Sequence, residues 1–390
     1  MTAPGPGSPL QTSTQTIAGI MQLVLLALVP GIAMATWFFG FGILINILLA
    51  GVTAIALEAA ILKLRKKDIR LHLGDYSALV SAVLFAIAVP PGSPWWLVII
   101  GIVFALVFAK HMYGGLGQNP FNPAMCGYVL LLLAFPLEMT TWHIPNEIVN
   151  SAIRIDSLGI GDITSDQQIL SPFSWLGLQQ SLVLTFPFIA RNSQQLIDGL
   201  AMATPLIEFK MAGHSALLTA WDNGLSWFDR ESATGWELIN IAYLGGGLLL
   251  LYKRIISWHI PFSILLTIGV ISSLFYAPDS AAIYGTPYLH LFGSATMIAA
   301  FFIATDPVSA ATSNRGRIIY GILIGTTIYS IRVWGSYLDS IALAVLFGNF
   351  CAPLLDYYCR PRRYGHLRRG LVQRPNQATE QHREKGIGEL

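Results

Sequence analysis

Residues 22–39 read QLVLLALVPGIAMATWFF, and two residues later residues 42–62 read GILINILLAGVTAIALEAAIL. Each run is close to the roughly 20 apolar residues that a helix needs to cross a hydrocarbon core. The first carries no charge and the second only Glu58. Eight further segments approach the same pattern: Ser77–Val89, Trp95–Phe108, Pro123–Trp142, Leu238–Leu251, Ile260–Tyr276, Tyr288–Ala304, Ile318–Trp334 and Ile341–Leu355. The third and sixth of the ten are short. Composition agrees, since 54% of the 390 residues are hydrophobic and only 11% are charged, against about 25% charged in an ordinary soluble domain. With a mean hydropathy of +0.59, a soluble enzyme and a disordered chain are both excluded. The reading is an all-α integral membrane protein of about ten transmembrane helices.

Residues 1–20 are expected to be a flexible lead-in, since their polar start, MTAPGPGSPLQTSTQT, lacks the basic region of a signal peptide. Residues 21–142 then form a first transmembrane half, 143–236 an extracytoplasmic loop region, 237–358 a second half, and 359–390 a basic cytoplasmic tail. In the central stretch the one strongly apolar run, Leu182–Ala190, is interrupted by Pro187 and is too short to span. Lys and Arg gather in cytoplasmic loops. Placing the N-terminus inside puts eighteen of the 23 Lys and Arg on the inner side, so both termini are expected in the cytoplasm. The tail segment RPRRYGHLRR at 360–369 fits either contact with anionic membrane lipids or a simple stop-transfer anchor. A net charge of +2 gives no reason to expect nucleic acid. Three cysteines, Cys126, Cys351 and Cys359, with no CxxC pair argue against a disulfide framework, a zinc site or an iron–sulfur cluster held by this chain alone.

The halves resemble each other faintly. Gln118–Ala124 reads QNPFNPA and Thr305–Ala311 reads TDPVSAA, an offset of 187 residues. That offset sets span three on span seven, which does not close on two five-helix units. Either a span is miscounted, or turn chemistry recurs by chance, because Asn-Pro and Asp-Pro are common turn initiators. Inverted repeats, where they exist, cradle a site at their interface.

Ionisable groups near hydrocarbon are costly and therefore functional candidates. Glu58, at the inner end of span two, and Asp306, at the inner mouth after span eight, are candidates for an ion path; each also reads as an interfacial carboxylate. Glu138 lies near the outer end of span five, and His290 and Arg332 read as structural. The loop Gly114-Gly115-Leu116-Gly117-Gln118-Asn119 is neither a P-loop nor a dinucleotide fingerprint, having no following Lys-Ser/Thr and no preceding soluble strand. Asn119 and Asn122 offer donors and acceptors suited to the edge of a planar heterocycle. In DGLAMATPL, residues 198–206, Thr204 reads locally as a helix N-cap before Pro205, a reading that leaves Asp198 unexplained.

DGLAMATPL resembles the flavinylation motif, an Asp followed six residues later by Thr, and GGLGQNPFNPA at 114–124 is similar to a second signature of the same family. Together they resemble the D-type subunits of Rnf ion-translocating electron-transport complexes, relatives of the B-type subunits of the sodium-translocating NADH:quinone reductase. The resemblance covers residues 20 to 358. It implies a urea-transporter-like fold of two inverted five-helix repeats in a bacterial inner membrane. It also implies covalent FMN on Thr204, placed by a flavin transferase that recognises Asp198. Non-covalent riboflavin would lie beside Asn119, Asn122 and Asp306. Ala201 departs from the motif, where a small hydroxyl residue is expected, as does Met202, where Gly or Ala is usual. The implied role is a redox subunit that exchanges electrons with other subunits of a complex coupling NADH or ferredoxin oxidation to Na⁺ or H⁺ movement. A channel or transporter for a small polar solute and a purely structural scaffold are the rival readings.

Overall fold

The computed structural model describes residues 16–140, 142–143, 175–186, 188, 201–202, 234–276, 284–335 and 340–359. Each of the ten apolar segments contains helix. The first half runs α1 (Ile17–Phe39), α2 (Gly42–Leu64), a short α3 (Ile69–Leu73), α4 (Ser77–Ala88), α5 (Trp95–Phe104), α6 (Pro123–Ala134) and α7 (Pro136–Thr140). The end of α5 widens without a break into a π-helical turn over Ala105–His111. After α8 (Trp175–Thr185) come α9 (Thr234–Tyr252), α10 (His259–Phe275), α11 (Pro287–Phe292), α12 (Thr296–Ile298, continued as a π turn over Ala299–Ile303), α13 (Asn314–Val333) and α14 (Ile341–Tyr358). Among the described residues, the exception to an all-helical architecture is a two-residue antiparallel pairing of β1 (Trp142–His143) with β2 (Ala201–Met202).

Among the described residues three helices, α1, α2 and α14, are long and apolar enough to cross a membrane by length and composition. The 12-residue α4 and α6 reach only about 18 Å at 1.5 Å per residue, short of a hydrocarbon core of about 30 Å. Two of the ten expected segments are interrupted. Pro123–Trp142 breaks at Phe135, whose φ of −134° follows from the clash that a following proline imposes on the helical conformation. Tyr288–Ala304 breaks over 293–295, between α11 and α12.

The packing is inside out relative to a soluble globule. Leu26, Leu48, Leu248, Leu266, Leu274 and Phe350 are more than half exposed, while Asn46, Glu58, Lys110, Asn122, Asn240 and Arg332 are buried. With no aqueous driving force between lipid-facing helices, contact depends on close approach at small residues. Gly246 lies on the Ala27 carbonyl where α9 meets α1, Gly127 on the Gly101 carbonyl where α6 meets α5, and Gly321 on Ser263 where α13 meets α10.

A repeat is visible in the helix starts. Ile17 and Thr234, Gly42 and His259, Ser77 and Thr296, Trp95 and Asn314, and Pro123 and Ile341 begin corresponding helices, 217–219 residues apart. The packing follows the same order: α1 meets α9, α2 meets α5 as α10 meets α13, and α5 meets α6 as α13 meets α14. This register replaces the 187-residue offset. QNPFNPA precedes the fifth helix of its set and TDPVSAA the fourth of the other, so Asn119 and Asp306 are not equivalent. Their likeness is turn chemistry, because Asn and Asp before proline start a turn wherever one is needed.

Candidate functional site

The starts of α1, α4 and α6 and the ends of α5 and α9 converge on a cavity of about 400 Å³. These ends neighbour Lys63, Arg65, Lys66, Lys67, Lys253 and Arg254, so this is the basic end of the molecule. Asn119, Asn122 and Asp306 all line the cavity, with Ser77, Lys110, Phe301 and Phe302. The glycine loop over it holds Gly114, Gly115 and Gly117 at φ +120°, +111° and +89°. A Cβ on Gly115 or Gly117 would meet nothing within 4 Å, so the left-handed backbone, not lack of room, requires glycine there.

The three predicted residues differ in what they leave free. Asn119 is buried and donates from Nδ2 to the Phe121 carbonyl at 3.0 Å, while its Oδ1 has no partner among the described residues. Such an orphan acceptor suits a ligand that carries a donor. Asn122 is largely committed: Oδ1 caps α6 by accepting from Ala124 N (3.0 Å) and Met125 N (3.4 Å), and Nδ2 donates to the Ile303 carbonyl at 3.3 Å. Asp306 accepts from Ser309 N at 3.2 Å and Ser309 Oγ at 2.7 Å. Burial pushes its carboxyl above the usual carboxylate range, and the Ser309 bonds oppose the shift.

Glu58 does not line the cavity but anchors a residue that does. Its Oε1 accepts from Lys110 Nζ and its Oε2 pairs with His111 Nε2, each at 2.9 Å, with Glu58 and Lys110 only 3% and 2% exposed. Lys110 also donates to Ser77 Oγ at 3.0 Å. Arg65 Nη1 donates to the His111 carbonyl at 3.2 Å. By sequence Lys110 reads as a loop charge, and His111 is not singled out. The available signal is their place inside the apolar run VFAKHMY, 107 to 113, directly continuing a helix. The π turn there is a form enriched at functional sites.

A second cavity, about 100 Å³, lies among the opposite helix ends, bordered by Phe39, Trp142, Trp236, Asn240, Tyr243 and Ser340. Phe39, Trp142 and Trp236 form a ring trio with centroids 5.2–5.6 Å apart. Trp142 faces Met202 in the strand pairing. Asp198 and Thr204 lie outside the described residues, as does the basic tail beyond Cys359.

Arg332 is buried and donates to the His290 carbonyl (2.6 Å), Thr296 Oγ1 (2.9 Å), Ser294 Oγ (3.1 Å) and Ser340 Oγ (3.1 Å), tying the break before α12 to the start of α14. His290 Nε2 meets the Tyr284 carbonyl at 2.8 Å. Glu138 is half-buried in α7. Among the described residues no group of three His, Cys, Asp or Glu could hold a metal ion.

An apolar exterior, buried charges and a polar cavity between helix ends define a multi-helix membrane protein with an interior polar cavity. The chain belongs to the NQR2, RnfD, RnfE family, whose profile matches residues 6–365. It is 47% identical over 367 residues to the D subunit of the ion-translocating oxidoreductase complex of Vibrio cholerae serotype O1 (strain M66-2), covering 92% of this chain and 98% of that protein. The proteins of the same name from Salmonella paratyphi A (strain ATCC 9150 / SARB42) and Vibrio vulnificus (strain YJ016) are 45% and 43% identical, with 92% of this chain and 97–98% of theirs covered.

Proposed function

We propose that this chain is the D-type subunit of an Rnf-type ion-translocating oxidoreductase complex in a bacterial inner membrane. In this reading it crosses the bilayer ten times as two inverted five-helix repeats, with both termini cytoplasmic and the basic end facing the cytoplasm. It carries FMN esterified to Thr204 by a flavin transferase that recognises Asp198, and non-covalent riboflavin in the basic-end cavity. The complex couples electron transfer from NADH or ferredoxin to movement of Na⁺ or H⁺, and the remaining subunits supply and remove the electrons.

The observation that carries the riboflavin assignment is the orphan Oδ1 of Asn119 in a cavity of about 400 Å³. An unpaired buried acceptor costs about 1–3 kcal/mol, a cost removed by a heterocycle that presents an N–H or hydroxyl. Phe301 and Phe302 supply apolar wall against which a planar ring packs, and Lys110 supplies positive charge. A flavin bound there supplies the electron-carrying chemistry; the chain's residues hold and orient it and exclude water. Asp306, at the mouth, is the nearer candidate for contact with the coupling ion, because Glu58 is held on both oxygens.

Flavin content tests the reading. Asn119→Ala is expected to lose the flavin released on denaturation while keeping a fluorescent band in a denaturing gel. Thr204→Val is expected to do the reverse. A wild-type chain, co-produced with an active flavin transferase, that shows neither flavin would favour a transporter of small polar solutes instead.

A further inference from the structure

We infer that Asp75, Ser77 and Lys110 form a proton-delivery line from the basic end of the protein into the cavity that Asn119 lines. The inference rests on the reading of that cavity as the seat of a redox group.

The line is continuous. Asp75 Oδ1 accepts from Ser77 Oγ at 2.6 Å, and Ser77 Oγ accepts from Lys110 Nζ at 3.0 Å. Asp75 is half-buried at the start of α4, Ser77 and Lys110 are buried, and both of the latter line the cavity. An ammonium has three donors. Glu58 and Ser77 take two of Lys110's, leaving the third for the cavity.

Charged neighbours come from each side. Glu58 on α2 and His111 beside Lys110 complete the ion cluster, Arg65 caps the His111 carbonyl, and Asp306 closes the mouth. Residues of α1 and the end of α9 bring only apolar side chains to the cavity. Glu58 holds Lys110 in place as a fixed counter-ion, and His111 Nδ1 is buried with no partner among the described residues. Removing two opposite charges from water is expensive, and apolar packing of similar volume serves stability as well or better. The second half of the repeat supplies that alternative: the positions equivalent to Glu58 and Lys110 hold Phe275 and Tyr329, their rings stacked at 6.0 Å. Closing the fold does not require the charges; passing a proton does.

The step balances. A redox group held in the cavity would gain basicity on taking electrons from the partner subunits. Lys110 Nζ gives its third proton to that group and becomes a neutral amine. The Ser77 hydroxyl turns, gives its proton to Nζ and takes in return one that the Asp75 carboxylate, its hydrogen-bond acceptor, collects from bulk water and passes on. The net change is one proton moved from bulk water to the reduced group, with all three side chains restored. Intramembrane ionisable chains of this kind are characteristic of proton relays.

The test uses the full chain in detergent with Thr204→Val, so that the non-covalent flavin is the observed chromophore. Its reduction by dithionite is followed by stopped flow in H₂O and D₂O. Ser77→Ala, and separately Asp75→Asn (which keeps the oxygen that caps Ser77 N), are expected to slow the proton-dependent phase at least tenfold and to change its solvent isotope effect. Ser77→Thr is expected to restore both. Flavin retained by the variants with wild-type rates and isotope effect would overturn the relay alone. A wild-type chain that releases no flavin on denaturation would overturn the seat of the redox group together with the relay.

Discussion

The two halves of the molecule close the same contact in opposite ways. Where α2 and the end of α5 meet, Glu58 and Lys110 form a buried ion pair at 2.9 Å. Where α10 and α13 meet, the equivalent positions carry Phe275 and Tyr329, two rings inclined at 22°. Ser77 bonds Lys110 in the first half, and its counterpart Thr296 bonds Arg332, close beyond Tyr329, in the second. One scaffold thus tolerates either chemistry at the same place. The repeat sets where helices meet, and the side chains decide which meeting point becomes a site.

The largest expected effect comes from breaking the ion pair on one side only. Glu58→Gln leaves Lys110 buried without its counter-charge, and should lower stability by about 3–5 kcal/mol, read as a fall in the thermal midpoint in detergent. Installing the second half's solution, Glu58→Phe with Lys110→Tyr, should recover most of that loss. A double variant no more stable than Glu58→Gln would show that the two contacts are not interchangeable. Smaller is the effect of Asn122→Ala, which removes the α6 cap, worth about 1 kcal/mol, and the bond to Ile303, worth about 1 kcal/mol. Smallest is Asp306, whose equivalent in the first half is the apolar Ile87. Its carboxyl is raised in the folded protein, so ionising it near neutral pH works against the fold. Asp306→Asn should therefore raise the midpoint at neutral pH. The gain should shrink as pH falls through the carboxylate range, where Asp306 is itself protonated. A melting series over pH that finds no gain at neutral pH would count against the shift.

Much of this architecture is legible in the sequence because apolar length is a strong signal. Each of the ten segments contains helix, and the starts of α2, α4, α5 and α6 coincide with the expected residues. The interruptions at Phe135 and at 293–295 are hidden because a broken helix keeps its hydropathy while losing its hydrogen bonds. The 187-residue offset misleads because proline turns leave a recognisable trace in sequence, whereas helix starts at Ser77 and Thr296 share only geometry. Asn119, Asn122 and Asp306 are brought to one cavity by motif and topology together. Lys110 is not legible as a site residue because a lysine at a helix end ordinarily extends its charge into water. Only the packing reveals that this one turns inward to Glu58.

Ile303 stands between the two cavities. Its side chain borders the aromatic one, and its carbonyl receives Asn122, which borders the polar one. The wall of the aromatic space is thus bonded to the wall of the polar one. Thermodynamic reciprocity then fixes a consequence: if filling one changes the affinity of the other through Ile303, the factor is identical in both directions.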